Sequence, residues 1–199
     1  MSPPRSTATL HVVTDDPRPP PALPSAVLGM LVFILTEIMM FAGMVSAFMI
    51  TKSSAVLGWP PPGQPRLPVD ETLVNTAALL LSGGVLFWAG RVFERDRPAA
   101  RGPLMTALAL GTFFVIFQGV EWWGLLSQGL TMTSSQHGAF FYLIVGTHAL
   151  HAIAAIGALG MVAGRHAGSR LQSSTFQSVR FFWYFVVLVW PVLYVLVYL

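Results

Sequence analysis

Apolar residues along this chain fall into five long blocks, roughly 26–50, 72–93, 102–126, 136–164 and 179–199. Short polar stretches separate them, apart from a longer one at 51–71. A membrane-crossing helix needs about 20 consecutive, mostly apolar residues, and each block reaches that length. The pattern predicts an all-α integral membrane protein, a five-helix transmembrane bundle occupying residues 26–199. No block repeats another in the way that marks a transporter built from duplicated halves, so one bundle is expected. Residues 1–25 are rich in proline (Pro3, Pro4, Pro17, Pro19, Pro20, Pro21 and Pro24) and have no apolar core. They read as a disordered tail and not as a signal peptide.

Composition sharpens this picture. Of 199 residues, 54% are apolar and 10% charged, and the mean hydropathy is +0.67. A soluble domain carries about 25% charge. The absence of cysteine removes disulfides, thiolate metal sites and cysteine nucleophiles. The excess of positive charge sits in loops, where it sets topology and gives no reason to expect nucleic acid. With five spans, Arg5, Arg18, Arg91, Arg95, Arg97, Arg101, Arg165, Arg170 and Arg180 share one side, and only Lys52 and Arg66 lie on the other. That bias predicts a cytoplasmic N-terminus and an outside, periplasmic C-terminus.

Small residues let membrane helices approach. Gly43, Ala47, Ser82, Gly83, Gly84, Ala154 and Ala158 are expected at helix contacts, and Pro191 is expected to kink the last span. Trp59, Trp88, Trp122, Trp123, Trp183 and Tyr198 fall near span ends, as interfacial belts require, with Trp190 deeper as a packing residue.

Ionisable groups inside apolar spans are costly and usually face protein or water. His148 and His151 are one turn apart on a single helix face that also carries Ala152, Ala155 and Ala158. Glu37 lies near mid-depth in the first span, and Glu121 lies shallower in the third, beside Trp122 and Trp123. Three readings of the histidines stand side by side: buried groups hydrogen-bonded to neighbouring helices, a proton-active site paired with Glu37, or ligands of a metal or haem. Trans haem ligands approach from opposite sides of the iron, so one helix face cannot supply both. The chain also lacks the second Glu-x-x-His motif of a di-iron bundle. No catalytic residue and no metal site are assigned. Glu121 is expected to form interfacial hydrogen bonds, and Asn75 to bond a neighbouring backbone. Arg91, Arg95, Arg97 and Arg101 form a basic loop that serves topology and can hold anionic lipid head groups.

With these residues in place, the chain resembles subunit III of the haem–copper respiratory oxidases, the cytochrome c oxidase family, over most of 28–198. The resemblance is carried by Gly29-Met30-Leu31-Val32-Phe33 with Glu37-Ile38-Met39-Met40-Phe41-Ala42-Gly43, then by Trp59-Pro60-Pro61 with Asn75-Thr76, Leu80, Ser82-Gly83 and Trp88-Ala89. Gln118 with Glu121-Trp122-Trp123, Gly138 with Phe140-Phe141, Gly146-Thr147-His148-Ala149-Leu150-His151, and Trp183-Tyr184-Phe185-Val186 with Trp190 complete it. It resembles the five-helix form of that family, which lacks the first helix pair. One departure stands out: Val187 occupies the position of the family's aspartate, and Pro191 follows Trp190.

The resemblance implies an accessory subunit with no cofactor of its own. Haem and copper are then expected in partner subunits I and II, with structural phospholipid held between helices. It implies support of proton uptake in a complex that reduces oxygen with electrons from cytochrome c or quinol, in a bacterial plasma membrane. Two rivals remain: the related accessory protein of nitric oxide reductases, and a free-standing proton-conducting carrier or channel.

Overall fold

The structure, a computed structural model, describes residues 23–56, 58–168 and 171–199. The expected disordered tail therefore lies almost wholly outside the described residues, as do Arg5, Arg18 and Arg170. Five long helices follow: α1 (Ser25–Ser53), α2 (Val69–Arg95), α3 (Arg101–Ser127), α4 (Gln136–Ala167) and α5 (Ser173–Leu193). A 3₁₀ turn, Pro98–Ala100, precedes α3, and a π turn, Tyr194–Tyr198, continues α5. All five are long and apolar enough to cross a membrane. The described residues contain no strand.

Local chemistry explains where several helices begin and end. Asp70 and Glu71 lie in the first turn of α2 and Arg95 in its last, each complementing the helix dipole. Ser135 caps α4, its Oγ accepting the Gly138 N–H at 3.0 Å. Arg165 and His166 close the last turn of the same helix. Pro191 leaves the carbonyl one turn back without its usual donor. The helix nevertheless runs on to Leu193 and then widens into the π turn.

Within the bundle, α2 and α3 form the closest pair, and α5 packs against α1, α2 and α4. The long 54–68 connection carries the chain from α1, seated on α5 and touching α4, over to α2. The core therefore gathers around α5, where Trp183, Val186 and Trp190 are fully buried. Two indoles pin α5 to α2. Trp183 Nε1 donates to Ser82 Oγ at 3.1 Å, and that hydroxyl donates to the Ala107 carbonyl of α3 at 2.8 Å. Trp190 Nε1 donates to Thr76 Oγ1 at 2.8 Å. Close approach of α2 and α5 requires glycine at position 83, where an added Cβ would sit 2.9 Å from Val187 Cγ1. The departure at Val187 is thus a tight apolar contact, with that side chain buried against the α2 backbone.

Some sequence expectations are corrected here. Gly43 and Ala47 are exposed, because α1 packs through its other face, where Phe41 and Val45 lie beside α5 and Phe48 meets Phe140 of α4. Gly84 and Ala154 are exposed too, whereas Ser82, Gly83, Ala152 and Ala155 are buried at helix contacts. Trp183 is no interfacial residue. α5 starts at Ser173, earlier than the expected 179, which carries Trp183 well inside the bundle. Tyr198 is likewise 7% exposed and turned inward.

Candidate functional site

Mid-helix on α1, Glu37 faces α4. Its Oε2 lies 3.0 Å from His151 Nε2, and both side chains are 15% exposed. Among the described residues this is the only carboxylate within ion-pair distance of a basic side chain. The other ring nitrogen, His151 Nδ1, lies 2.8 Å from the Thr147 carbonyl one turn earlier. A carbonyl can only accept, so Nδ1 carries a hydrogen. The Nε2···Oε2 contact is within ion-pair distance, but Glu37 Oε2 has no partner in hydrogen-bond geometry. Phe41, Phe182 and Phe185 set their rings edge-on around His151 at 5.6, 6.2 and 6.1 Å between centroids. The pair thus sits in an aromatic box at the meeting of α1, α4 and α5.

His148, although one turn away, does not join that contact. It is 1% exposed and lies against Trp190, ring centroids 5.0 Å apart and 30° between planes. Its Nε2 has no protein partner. The ring lines a cavity of about 170 Å³ together with Phe114, Gln118, Trp122, Val145 and Trp190. That space is large enough for water to meet the free nitrogen.

Gln118 ties this cavity to the second polar group. Its Nε2 donates to Glu121 Oε2 at 2.9 Å and to Tyr198 Oη at 3.2 Å, and Asn75 Nδ2 donates to its Oε1 at 3.5 Å. Asn75 also reaches the Phe114 carbonyl at 3.2 Å, a backbone bond to the neighbouring helix. The Thr72 hydroxyl is shared between the Pro68 carbonyl at 2.6 Å and Glu121 Oε2 at 2.9 Å. Glu121 thereby links α2 to α3, and Gln118 extends the link to the turn that follows α5. Sequence reasoning did not single out Thr72, and it gave Tyr198 an interfacial role instead of this one. The spacing Gln118-x-x-Glu121, which puts both groups on one helix face, was the readable signal.

The four loop arginines divide. Arg97 lays its guanidinium over the Phe93 ring at 5.1 Å and donates from Nη2 to Ser173 Oγ at 3.0 Å. Its carbonyl lies 2.7 Å from His166 Nε2. With Arg101, Phe93, Pro98, His166 and Leu171 it lines a cavity of about 360 Å³. Arg91 lies over Phe87 at 5.3 Å, and neither it nor Arg95 lines that cavity. A larger apolar groove of about 630 Å³ runs between α1 and α5, walled by Leu31, Ile34, Ile38, Phe185, Leu188 and Val192 among others. Among the described residues no cluster of three or more His, Asp or Glu side chains is arranged to hold a metal ion.

Residues 24–199 match the profile of the family described as Cytochrome c oxidase subunit III. Curated proteins named Cytochrome c oxidase subunit 3 align with the chain. The one from Pelomedusa subrufa is 34% identical over 179 residues, covering 85% of this chain and 67% of the relative. The one from Petromyzon marinus is 33% identical over 181 residues with the same coverage, 85% and 67%. The one from Locusta migratoria is 31% identical over 179 residues, again at 85% and 67%.

Proposed function

The chain belongs to the cytochrome c oxidase subunit III family, and on that premise we propose that it is an accessory subunit of a haem–copper terminal oxidase that binds no redox centre itself. The observation that carries the reading is the family match across the whole five-helix domain, 24–199. It favours the oxidase over an accessory protein of nitric oxide reductase and over a free-standing proton carrier. Haem and copper belong, in this proposal, to partner subunits I and II, beside which the bundle packs in a bacterial plasma membrane. The arginine-rich end faces the cytoplasm, as the charge asymmetry supports.

The geometry suggests how such a subunit contributes. The Glu37–His151 contact joins α1 to α4 and sets two proton-exchanging groups side by side. Glu121 and its partners join α2, α3 and α5. Between them lies the His148 cavity, walled also by Gln118. These groups fix the helices and give the subunit a place to hold protons near an oxidase that takes them up. The apolar groove between α1 and α5 suits an acyl chain, and the Arg97–Arg101 cavity suits a lipid head group.

The deciding experiment is affinity purification of the tagged full chain after mild solubilisation, with mass spectrometry of its partners and an optical spectrum of the preparation. Subunits I and II with haem and copper are expected. A preparation containing nitric oxide reductase polypeptides, or the chain alone conducting protons in liposomes, would overturn the proposal.

A further inference from the structure

Arg180 lies inside a membrane helix, about two turns from the start of α5. Its guanidinium is held over the rings of Phe176 and Tyr184 at 5.4 and 5.8 Å, and its Nε donates to Tyr184 Oη at 3.2 Å. The head of the side chain fits a notch in α2 left by Gly90, where an added Cβ would collide with the guanidinium carbon and both terminal nitrogens. No carboxylate among the described residues lies within ion-pair distance of it. Among the described residues its one hydrogen bond is the one from Nε, and both terminal nitrogens are without an acceptor there. A half-buried cation, clamped by two rings and a glycine notch and lacking a counter-ion, is prepared for an anion from outside the chain.

A second fixed guanidinium faces the same space. Arg180, Arg97, Ser173, Gln177 and Glu94 line a cavity of about 240 Å³ floored by Phe93 and Phe176. Arg97 is held there by the Phe93 ring and Ser173. It also walls the adjoining cavity that contains Arg101 and His166. Planar N–H forks of this kind match phosphate oxygens, and basic pockets between membrane helices hold phospholipid head groups. Glu94 is the one acid on the cavity wall, and it makes no ion pair there.

We propose that Arg180 and Arg97 form a binding site for the phosphodiester of a glycerophospholipid in the leaflet at the arginine-rich end, with Gly90 supplying the notch that positions Arg180. The site is separate from the α1–α5 groove and does not involve Arg91 or Arg95. It rests on the lipid-holding part of the reading above.

The test counts phospholipids retained by the purified complex, by native mass spectrometry and phosphorus analysis. Arg180→Gln and Arg97→Gln are each expected to lose one lipid, with retention about tenfold weaker, as loss of a charge-assisted pair implies. Gly90→Ala should do the same by displacing the guanidinium, and Arg91→Gln should leave the count unchanged. Arg180→Lys, which keeps the charge and loses the fork, is expected to fall between and covers the case in which Arg180→Gln does not fold. Phosphatidylglycerol vesicles should restore the lipid to delipidated wild type and not to Arg180→Gln, whereas inorganic phosphate should neither bind measurably nor displace it. Saturable binding of inorganic phosphate alongside an unchanged lipid count in the arginine variants would overturn the proposal. So would a lipid gained only in Glu94→Gln, because Glu94 would then be occupying Arg180 as its counter-ion in the wild type. The same preparations report the oxidase partners separately. Lipid loss in the variants without copurifying oxidase would keep this site and sink the subunit assignment; intact oxidase with unchanged lipid would do the reverse.

Discussion

Glu37 and His151 form a contact in which one ring nitrogen is already committed to a backbone carbonyl. Because the Thr147 carbonyl takes the hydrogen on Nδ1, Nε2 is the ring nitrogen left to face Glu37 Oε2. Glu37→Gln supplies an N–H in the same place, so the helices are expected to stay docked, with a stability change under about 1 kcal/mol. Glu37→Leu leaves Nε2 bare and should cost about 1–3 kcal/mol. Thermal denaturation of the detergent-solubilised complex separates the two. If the glutamine variant lost as much stability as the leucine variant, the contact would be held by charge and not by a shared hydrogen. Proton uptake by the assembled complex is expected to slow in Glu37→Gln, which cannot exchange a proton at that atom; an unchanged rate would remove the buffering role. The identities of both residues were readable, since an acid and two imidazoles in apolar runs stand out. Their pairing was not, because His148 and His151 share a helix face and only the packing of α1 and α5 decides that His151 meets the acid while His148 meets Trp190.

Between α2 and α5, association depends on closeness and on two indole hydrogen bonds, since lipid gives no hydrophobic drive for helices to meet. Trp190→Phe keeps the ring against His148 and removes the bond to Thr76. The expected loss is about 0.6 kcal/mol and at most about 1.7, the range measured for bonds between membrane helices. Val187→Asp places an acid in the tight, buried apolar contact with the α2 backbone at Gly83. It should destabilise by several kcal/mol and block assembly, read as loss of the chain from the purified complex. Survival of that variant at wild-type stability would mean that a partner for the acid exists at this crossing. The early start of α5 escaped the sequence reading because Ser173, Ser174, Gln177, Ser178 and Arg180 look like loop composition. In the bundle, Ser178 bonds its own helix and Arg180 enters the Gly90 notch, so the polar turns are stable as helix.

Across the whole molecule, the bundle is open-sided, with α1 offering Leu31, Val32, Leu35, Met39 and Ile50 outward to apolar surroundings. Such a surface suits lipid and neighbouring subunits, in keeping with a chain that works inside a larger complex. Length and continuity of the apolar runs alone determined the five crossings, because a bilayer imposes one length on any helix that spans it. The residue strings were also enough to identify the family. Tertiary structure alone decided which polar groups meet: Glu37 with His151, Glu121 with Thr72 and Gln118, and Arg180 with the notch at Gly90. The physical reason is that hydropathy acts residue by residue along the chain, whereas partnership depends on the order in which helices pack. Here α5, the last helix, sits between elements that the sequence keeps far apart.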